Sequence, residues 1–186
     1  MQARAVFFWR RTDVAGLERL AVTPSEGRVM VEGTVLLLEE GGCRIEHSWL
    51  LTPEWHTLKV NVVRWDAAGH AMVQLERSGG IWQVNGVARP DLSEAFEPDL
   101  SITPFCNALP VRRLMRGTQD TLDLTAAYID GHSLTVVPSR QRYERKSARL
   151  FRYIDLGVAR GFEADLVVDE DGMVLHYEHL FERVDP

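Results

Sequence analysis

Three polar side chains of this sequence are candidates for acid–base chemistry: His56, Asp99 and Asp165. A histidine at the start of a strand is a candidate general base, and two carboxylates that lie together can act as an acid and a base. Their spacing does not bring the three together, and the sequence contains no nucleophile-elbow, dinucleotide-binding or phosphate-loop motif. Carboxylates that face solvent or pair with arginines are the simpler interpretation, so we assign no catalytic residue and no cofactor.

Two patterns resemble metal sites, and neither has the required spacing. Asp169-Glu-Asp-Gly172 is similar to the start of a calcium-binding loop, which needs glycine at its sixth place and glutamate at its twelfth. Those places hold Val174 and Leu180, so a hairpin turn is the better interpretation. Cys43 and His47 are four residues apart, or about 13 Å along a strand, which is too far to share one ion. We therefore predict no metal site.

Arginine dominates the basic residues, with 19 arginines against two lysines. Arginine favours paired hydrogen bonds to phosphate or carboxylate, which makes the pair Arg112 and Arg113 a candidate for an anionic group. A second basic run, residues 140–152, contains interleaved aromatic residues. It fits an anionic head group, a nucleic-acid surface, or a solvated face balanced by acidic residues near the end of the chain. The net charge of −6 argues against nucleic acid, so we expect no such partner.

Length and composition indicate one soluble domain. A chain of 186 residues buries roughly 70% of its unfolded surface, and 45% apolar with 26% charged residues is typical of globular proteins. The apolar run Ala5–Trp9 is about half as long as that of a signal peptide. No apolar run approaches the ~20 residues of a transmembrane helix. The two cysteines fit no metal or disulfide pattern, so we expect a cytoplasmic protein.

Alternating apolar residues predict a mostly β fold of long antiparallel strands. Residues 28–38 alternate well, and Gly33 in their middle suggests a bend or a bulge. No segment of ten or more residues has a convincing helical period, apart from a weak case at 13–22. Long antiparallel strands curl, because a twisted sheet has two surfaces to cover. We therefore expect a single domain, residues 1–186, with a strongly curved sheet or a partly closed β-barrel.

Residues 1–90 and 115–186 have a similar order of strands and turns, which suggests two similar halves joined by an irregular stretch, 91–114. Its part 99–114 has no usable period and contains two prolines, yet it is apolar. We predict a buried irregular segment whose polar side chains bond to local backbone. It is either a well-packed connector or a strap that contacts a ligand.

The stretch from Asp99 to Leu114 also carries a motif. Its residues, Asp-Leu…Thr-Pro-Phe-x-Asn-x-Leu-Pro-Val-Arg-Arg-Leu, resemble the signature of the bacterial putative glycolipid-binding family, first defined as proteins of unknown function. The departures are Cys106, where the pattern has threonine, and His176-Tyr177-Glu178, where it has an acidic residue, tyrosine and proline. Further agreeing pieces extend over nearly the whole chain: Phe8-Trp9-Arg10-Arg11, Gln141-x-Tyr143, Phe162-Glu-Ala-Asp-Leu166, Val168-Asp-x-Asp-Gly-Met-Val174 and Tyr177…Leu180-Phe-x-Arg183.

The resemblance implies a non-enzymatic protein with an apolar groove or cavity that binds an amphipathic lipid or glycolipid. We expect the acyl part along apolar strand faces and the polar or anionic head at Asn107, Arg112 and Arg113. Trp82 and Tyr143 complete the candidates, because aromatic rings are frequent in binding sites. One alternative is a hydrolase-like enzyme for a small acyl or glycosyl substrate, which needs the three acid–base candidates to cluster. The other is an interaction module without a small-molecule site, which a fully packed interior would favour.

Overall fold

The computed structural model describes residues 4–185 as one domain, a single curled sheet of 15 strands that does not close. This confirms the predicted β class and the curved sheet, whereas a closed barrel is not formed. The strands and the helix have these bounds: β1 Ala5–Arg11, β2 Gly16–Ser25, β3 Arg28–Leu37, β4 Cys43–Leu51, β5 Thr57–Asp66, β6 Gly69–Ser78, β7 Ile81–Val84, β8 Val87–Ala88, β9 Ala95–Leu100, α1 Phe105–Arg116, β10 Thr121–Ile129, β11 Val136–Arg145, β12 Leu150–Asp155, β13 Glu163–Val168, β14 Val174–Tyr177 and β15 Phe181–Arg183.

The sheet is two antiparallel meanders joined through the ends of the chain. Strands β1 to β8 pair in sequence, as do β10 to β15, and β1 pairs with β15. Strand β9 is parallel to β10 and forms one edge, and β8 forms the other. Side chains link the two ends of the curl: the indole nitrogen of Trp82 donates to the Ala95 carbonyl (2.9 Å). Both meanders therefore belong to one sheet, and two similar halves stay a prediction.

Strand β3 has the predicted alternation, because its valines, Gly33 and Leu37 are buried while Met30, Glu32 and Leu36 are exposed. The predicted bulge at Gly33 is not formed, and a bend there stays a prediction. The pairing register runs without a shift through Gly33 to both neighbouring strands. The glycine is required because the ring of His47 lies against it: a Cβ at this position would be 2.1 Å from His47 Nε2.

The predicted burial of residues 99–114 is confirmed, but their predicted irregular conformation is wrong, because residues 105–116 form α1. Curved strands surround this helix, and eight of its residues, from Phe105 to Leu114, are buried. Its residues 105–111 are buried without interruption, so this part has no polar face from which a helical period could be recognised, whereas Arg112, Arg113 and Arg116 reach the surface. Pro110 lies inside it. The weak helical pattern at 13–22 belongs to strand β2.

Helix α1 occupies the interior of the curled sheet, where it packs against β9, β10, β11 and β14. Its first residue, Phe105, has its ring 5.4 Å from that of Trp49 on β4. A packed interior is the observation that favours the interaction module. Within residues 4–185 no helix is long and apolar enough to cross a membrane, and the cytoplasmic location stays a prediction.

Candidate functional site

Two hollows lie along α1, one toward each end. We call the first the arginine groove, a hollow of about 430 Å³ whose lining includes Phe7, Val22, Val29, Trp55, Arg112 and Met173. We call the second the tyrosine pocket, a hollow of about 210 Å³ whose lining includes Asp99, Tyr128, Tyr153, Asp155, Phe162 and Tyr177. The helix contributes Arg112 to the groove and Asn107 to the pocket.

Trp55 borders the arginine groove in a strained backbone conformation. It follows the break after β4, where its amide donates to the Thr52 carbonyl (2.9 Å), and its φ is +71°. A bulky residue in the left-handed region is a true outlier, and such strain is concentrated at functional sites. The guanidinium of Arg112 lies 3.8 Å from the centre of the Trp55 ring, and Phe105 packs at 6.1 Å. The strained turn therefore presents a tryptophan on which an arginine rests.

A smaller hollow of about 200 Å³ shares Trp55 and Arg112 with the groove and adds two more arginines, Arg113 and Arg116. Burial, and next the charge of Arg116, lowers the pKa of Arg112. Arg112 contacts the Asp171 carbonyl, while its buried Nε has no hydrogen-bond partner within the described residues. The groove, whose lining also includes Arg28 and Asp171, adjoins a basic hollow, and the Trp55–Arg112 pair belongs to both.

The tyrosine pocket is built from short polar contacts between distant segments. Gln141 donates to Asp99 Oδ2 (2.5 Å), and Asn107 donates to the Tyr143 hydroxyl (3.0 Å). Burial, and then the nearby charge of Asp155, raises the pKa of Asp99 to about 6, against the hydrogen bond from Gln141. The Gln141–Asp99 and Asn107–Tyr143 hydrogen bonds each join two separate pieces of the sequence pattern that resembles the glycolipid-binding family.

A second carboxylate, Asp155, lines the same pocket and is almost fully buried. Its oxygens accept hydrogen bonds from the Tyr153 hydroxyl (3.1 Å) and from the Gly157 amide (2.7 Å). Burial also raises the pKa of Tyr143, Tyr153 and Tyr177, so these phenols stay protonated near neutral pH. The pocket therefore contains two carboxylates beside protonated phenols.

The five predicted ligand-binding residues do not form one site. Asn107 and Tyr143 meet beside the tyrosine pocket, and Arg112 lines the arginine groove. Arg113 lies over the Phe96 ring (3.5 Å to its centre) and pairs with Glu97 (3.5 Å). Trp82 is fully buried under β9. As ligand contacts all five stay predictions.

The three acid–base candidates are also apart. His56 is half-exposed in the basic hollow, 3.6 Å from Glu97. Asp99 lies in the tyrosine pocket, and Asp165 pairs with Arg152 (2.8 Å) in the sheet. The catalytic cluster that the hydrolase alternative needs is therefore not formed by these three. Within residues 4–185 no three His, Cys, Asp or Glu side chains are grouped so that they could hold a metal ion.

The basic run 140–152 pairs with carboxylates, as the solvated-face interpretation predicts. Arg149 contacts Glu170 and Arg152 contacts Asp165, both acidic residues near the end of the chain. Sequence reasoning did not single out Trp55 or Asp155 as site residues. The tight Thr-Pro-Glu break before Trp55 was a usable signal, whereas Asp155 looks like any polar residue at a strand end.

Comparisons with known proteins agree along the chain. The family model described as putative glycolipid-binding matches residues 6–183. Among solved structures, the chain is similar to a DUF1089 family protein from Pseudomonas aeruginosa, whose crystal structure was determined at 1.80 Å resolution. The identity is 27%, the TM-score is 0.78, and the match covers 90% of this chain and 92% of the other. No curated protein matches the sequence.

Proposed function

The chain belongs to the putative glycolipid-binding family, and we propose that it binds an amphipathic ligand in the arginine groove without transforming it. The apolar part of the ligand lies on the groove walls, and its anionic or polar head lies at Arg112 and the basic hollow. One observation carries the proposal: an apolar groove and a basic hollow adjoin at a single strained tryptophan–arginine pair.

The walls suit a short acyl or other apolar chain. Phe7, Val22, Val29 and Met173 contribute apolar surface, and the volume of about 430 Å³ falls in the range of small-molecule sites, roughly 300–1,000 Å³. Each buried methylene contributes about 0.8 kcal/mol. Because α1 fills the interior, the acyl part lies in this groove beside the ends of β1, β2 and β3 and not along the strands inside.

The basic hollow suits an anionic head. Arg112 and Arg116 repel each other, and the buried Nε of Arg112 lacks an acceptor. An anion between the arginines offsets that repulsion. A guanidinium forms paired hydrogen bonds with phosphate, sulfate or carboxylate, so these are the head groups that we expect.

Native mass spectrometry of protein expressed in bacteria, followed by organic extraction, tests the proposal. We expect a stoichiometric adduct of lipid mass. Arg112→Ala should reduce retention of the adduct at least about tenfold, since a hydrogen bond to a charged group contributes roughly 1.5–3 kcal/mol. Arg149→Ala, which removes an exposed arginine paired with Glu170, is the matched control and should retain it.

A second pair of variants tests whether the ligand occupies the groove, by filling the groove with a larger side chain. Ala5 lines the groove, whereas Val6 is exposed and points to the other face of the same strand. Ala5→Phe should displace the adduct, and Val6→Phe should not. A protein free of adduct that binds no displaceable apolar dye, or equal retention by these two variants, would count against the groove.

A further inference from the structure

The tyrosine pocket has a charge opposite to that of the arginine groove. Asp99 and Asp155 both line it, and none of its lining residues is an arginine, lysine or histidine. Arg11 lies over the ring of Phe181 (4.8 Å to its centre), but its guanidinium is paired with Asp13 (2.5 Å). Two carboxylates therefore line a small hollow that contains no basic side chain. This is unusual, because buried charges in proteins are normally paired with an opposite charge.

The carboxylate of Asp99 has unused hydrogen-bonding capacity. Within residues 4–185 its one hydrogen-bond donor is Gln141, which satisfies Oδ2. A carboxylate accepts about four hydrogen bonds, so its other oxygen, Oδ1, remains available in the hollow. Asp155, in contrast, already has a donor on each oxygen. Asp99 is thus the group that a ligand would meet first.

Aromatic rings form the facing wall. The ring centres of Tyr153, Phe162 and Tyr177 are 6.1 to 6.4 Å apart, so the three rings pack as one triangle. Tyr128 and Phe181 also line the hollow. The faces of aromatic rings attract cations, and ammonium groups are recognised in proteins by such walls.

From these observations we propose that the tyrosine pocket binds a small organic ammonium group, with its charge toward Asp99 and Asp155 and its carbon atoms on the Tyr153–Phe162–Tyr177 wall. This site is separate from the arginine groove, and the inference does not depend on the function proposed there. The volume of about 210 Å³ suits one small group such as a choline or ethanolamine moiety.

An organic cation fits this pocket better than a neutral polyol or a metal ion does. A polyol would displace water and leave both negative charges uncompensated, whereas a monocation offsets their repulsion. A divalent metal ion prefers six or more oxygen ligands, and within the described residues no suitable group of three acidic, histidine or cysteine side chains occurs. The aromatic wall supplies no oxygen ligands for a metal ion, whereas its ring faces can form cation–π contacts with an alkylammonium group.

Isothermal titration calorimetry with choline, ethanolamine and sodium tests the assignment, with neutral dimethylbutanol as the uncharged carbon analogue of choline. We expect an ammonium ion to bind at least about tenfold more tightly than the neutral analogue and than sodium. Equal binding of choline and its analogue would overturn the proposal. So would tighter binding of a neutral sugar than of either ammonium ion, or no binding of choline, ethanolamine and short-chain phosphatidylcholine alike.

Variants on both walls locate the site. Asp99→Asn should weaken ammonium binding about tenfold, while Asp123→Asn, which changes an exposed carboxylate paired with Arg142, should not. Phe162 is half-buried at the pocket, so its replacement tests the wall even if the Asn variant does not fold. Phe162→Leu should lower the affinity and Phe162→Tyr should retain it. Unchanged affinity in Phe162→Leu and in Asp99→Asn would overturn the assignment.

The pH profile gives an independent readout. Asp99 faces Asp155 on β12, Tyr143 and Tyr177 on other strands and the Cys106 thiol on α1, and the pKa of each of these phenols and of the thiol is raised. Because protonation of Asp99 removes a negative charge, ammonium affinity should rise with pH through about 6 and then level off. That rise should be lost in Asp99→Asn, and a rise that persists there would contradict the role of Asp99.

Two sources of an ammonium group can be distinguished. Free choline that binds alone indicates a small solute, whereas binding of short-chain phosphatidylcholine together with failure of free choline indicates a lipid head group. Either result supports the same site chemistry, provided that Phe162→Leu weakens it.

Discussion

The N-terminal half of α1 is held by buried polar contacts, whereas its C-terminal half presents arginines that rest on aromatic rings. Thr103, just before the helix, donates to Glu18 Oε1 (2.8 Å), and Asn107 donates to Tyr143 (3.0 Å). At the other end Arg112 and Arg113 lie over Trp55 and Phe96 and are only partly buried. Buried partners are costly to lose, while half-exposed cations are free to exchange partners with a ligand.

A chain of buried hydrogen bonds extends from the start of the helix to β4. The indole of Trp49 donates to His47 Nδ1 (2.9 Å), so the imidazole hydrogen is on Nε2, which faces Glu18 Oε1 at 2.9 Å. Both side chains are almost fully buried, and the second oxygen of Glu18 has no partner within the described residues. This network fixes the position of the N-terminal end of α1. We therefore expect its residues to contribute mainly to the stability of the fold.

The largest effect should come from Gly33→Ala. Its new Cβ would lie 2.1 Å from His47 Nε2, so the ring must move and break its contact with Glu18. We expect the free energy of unfolding in urea to fall by about 3 kcal/mol or more, from overpacking plus the loss of a buried hydrogen bond. Glu32→Ala, at the exposed neighbouring residue, is the control and should change it by less than about 0.5 kcal/mol.

The cause of that loss can be isolated by a double-mutant cycle. In a His47→Ala background the clash is absent, so Gly33→Ala should cost much less than it does in the native protein. Equal costs in the two backgrounds would show that the glycine is required for another reason, and the network would then not define the structural end of the helix.

An intermediate effect concerns Asp99 and the pH dependence of stability. Its pKa is raised from 3.8 to about 6 in the folded protein, so the folded state binds this proton more tightly than the unfolded state does. The stability that Asp99 contributes is therefore greatest below pH 3.8 and is lost as pH rises through about 6. Compared with the native protein, Asp99→Asn should gain stability over that interval and be at least as stable at pH 7.

Urea unfolding of both proteins between pH 4 and pH 7 measures this difference, and Glu97, whose pKa is also raised, is present in both. A constant difference across that range would show that Asp99 is as ionised in the folded as in the unfolded protein. The expected combination, higher stability with weaker ammonium binding, would mark Asp99 as a residue retained for its ligand.

The sequence predicts the sheet well and the helix poorly, for one physical reason. Alternation in β3 and its neighbours reflects one buried and one exposed face, and that difference is present within each strand. Residues 105–111 are buried without interruption, so the first two turns of α1 lack the polar face that gives a helix its sequence period. The resemblance to the glycolipid-binding family was recognised from the same residues, because a motif does not require periodicity.

Only part of each candidate site can be predicted from the sequence. Arg112 was predicted from its residue type, and it does line a groove, but its partner Trp55 comes from a loop far away in the sequence. Asn107 and Tyr143 were both named, yet their contact and the two nearby carboxylates depend on how β9, β11 and β12 meet α1. Local pattern identifies side chains suited to a site, while the curl of the sheet decides which of them share one.

The smallest effect should follow from Arg116→Ala, at the C-terminal end of α1. Arg116 is exposed, donates to the Glu54 carbonyl (3.2 Å), and interacts favourably with the helix dipole. Loss of that interaction costs roughly 0.3–1 kcal/mol, so urea unfolding should show a decrease below about 1 kcal/mol that shrinks as salt is added. Retention of the lipid adduct should fall measurably even where the free energy of unfolding changes little, because Arg116 borders the basic hollow.

If Arg116→Ala instead destabilised the protein as strongly as Gly33→Ala, the C-terminal arginines would be structural too, and the two ends of the helix would not differ in role. A small change in stability with a clear change in retention is the result that separates a surface kept for a ligand from one kept for the fold.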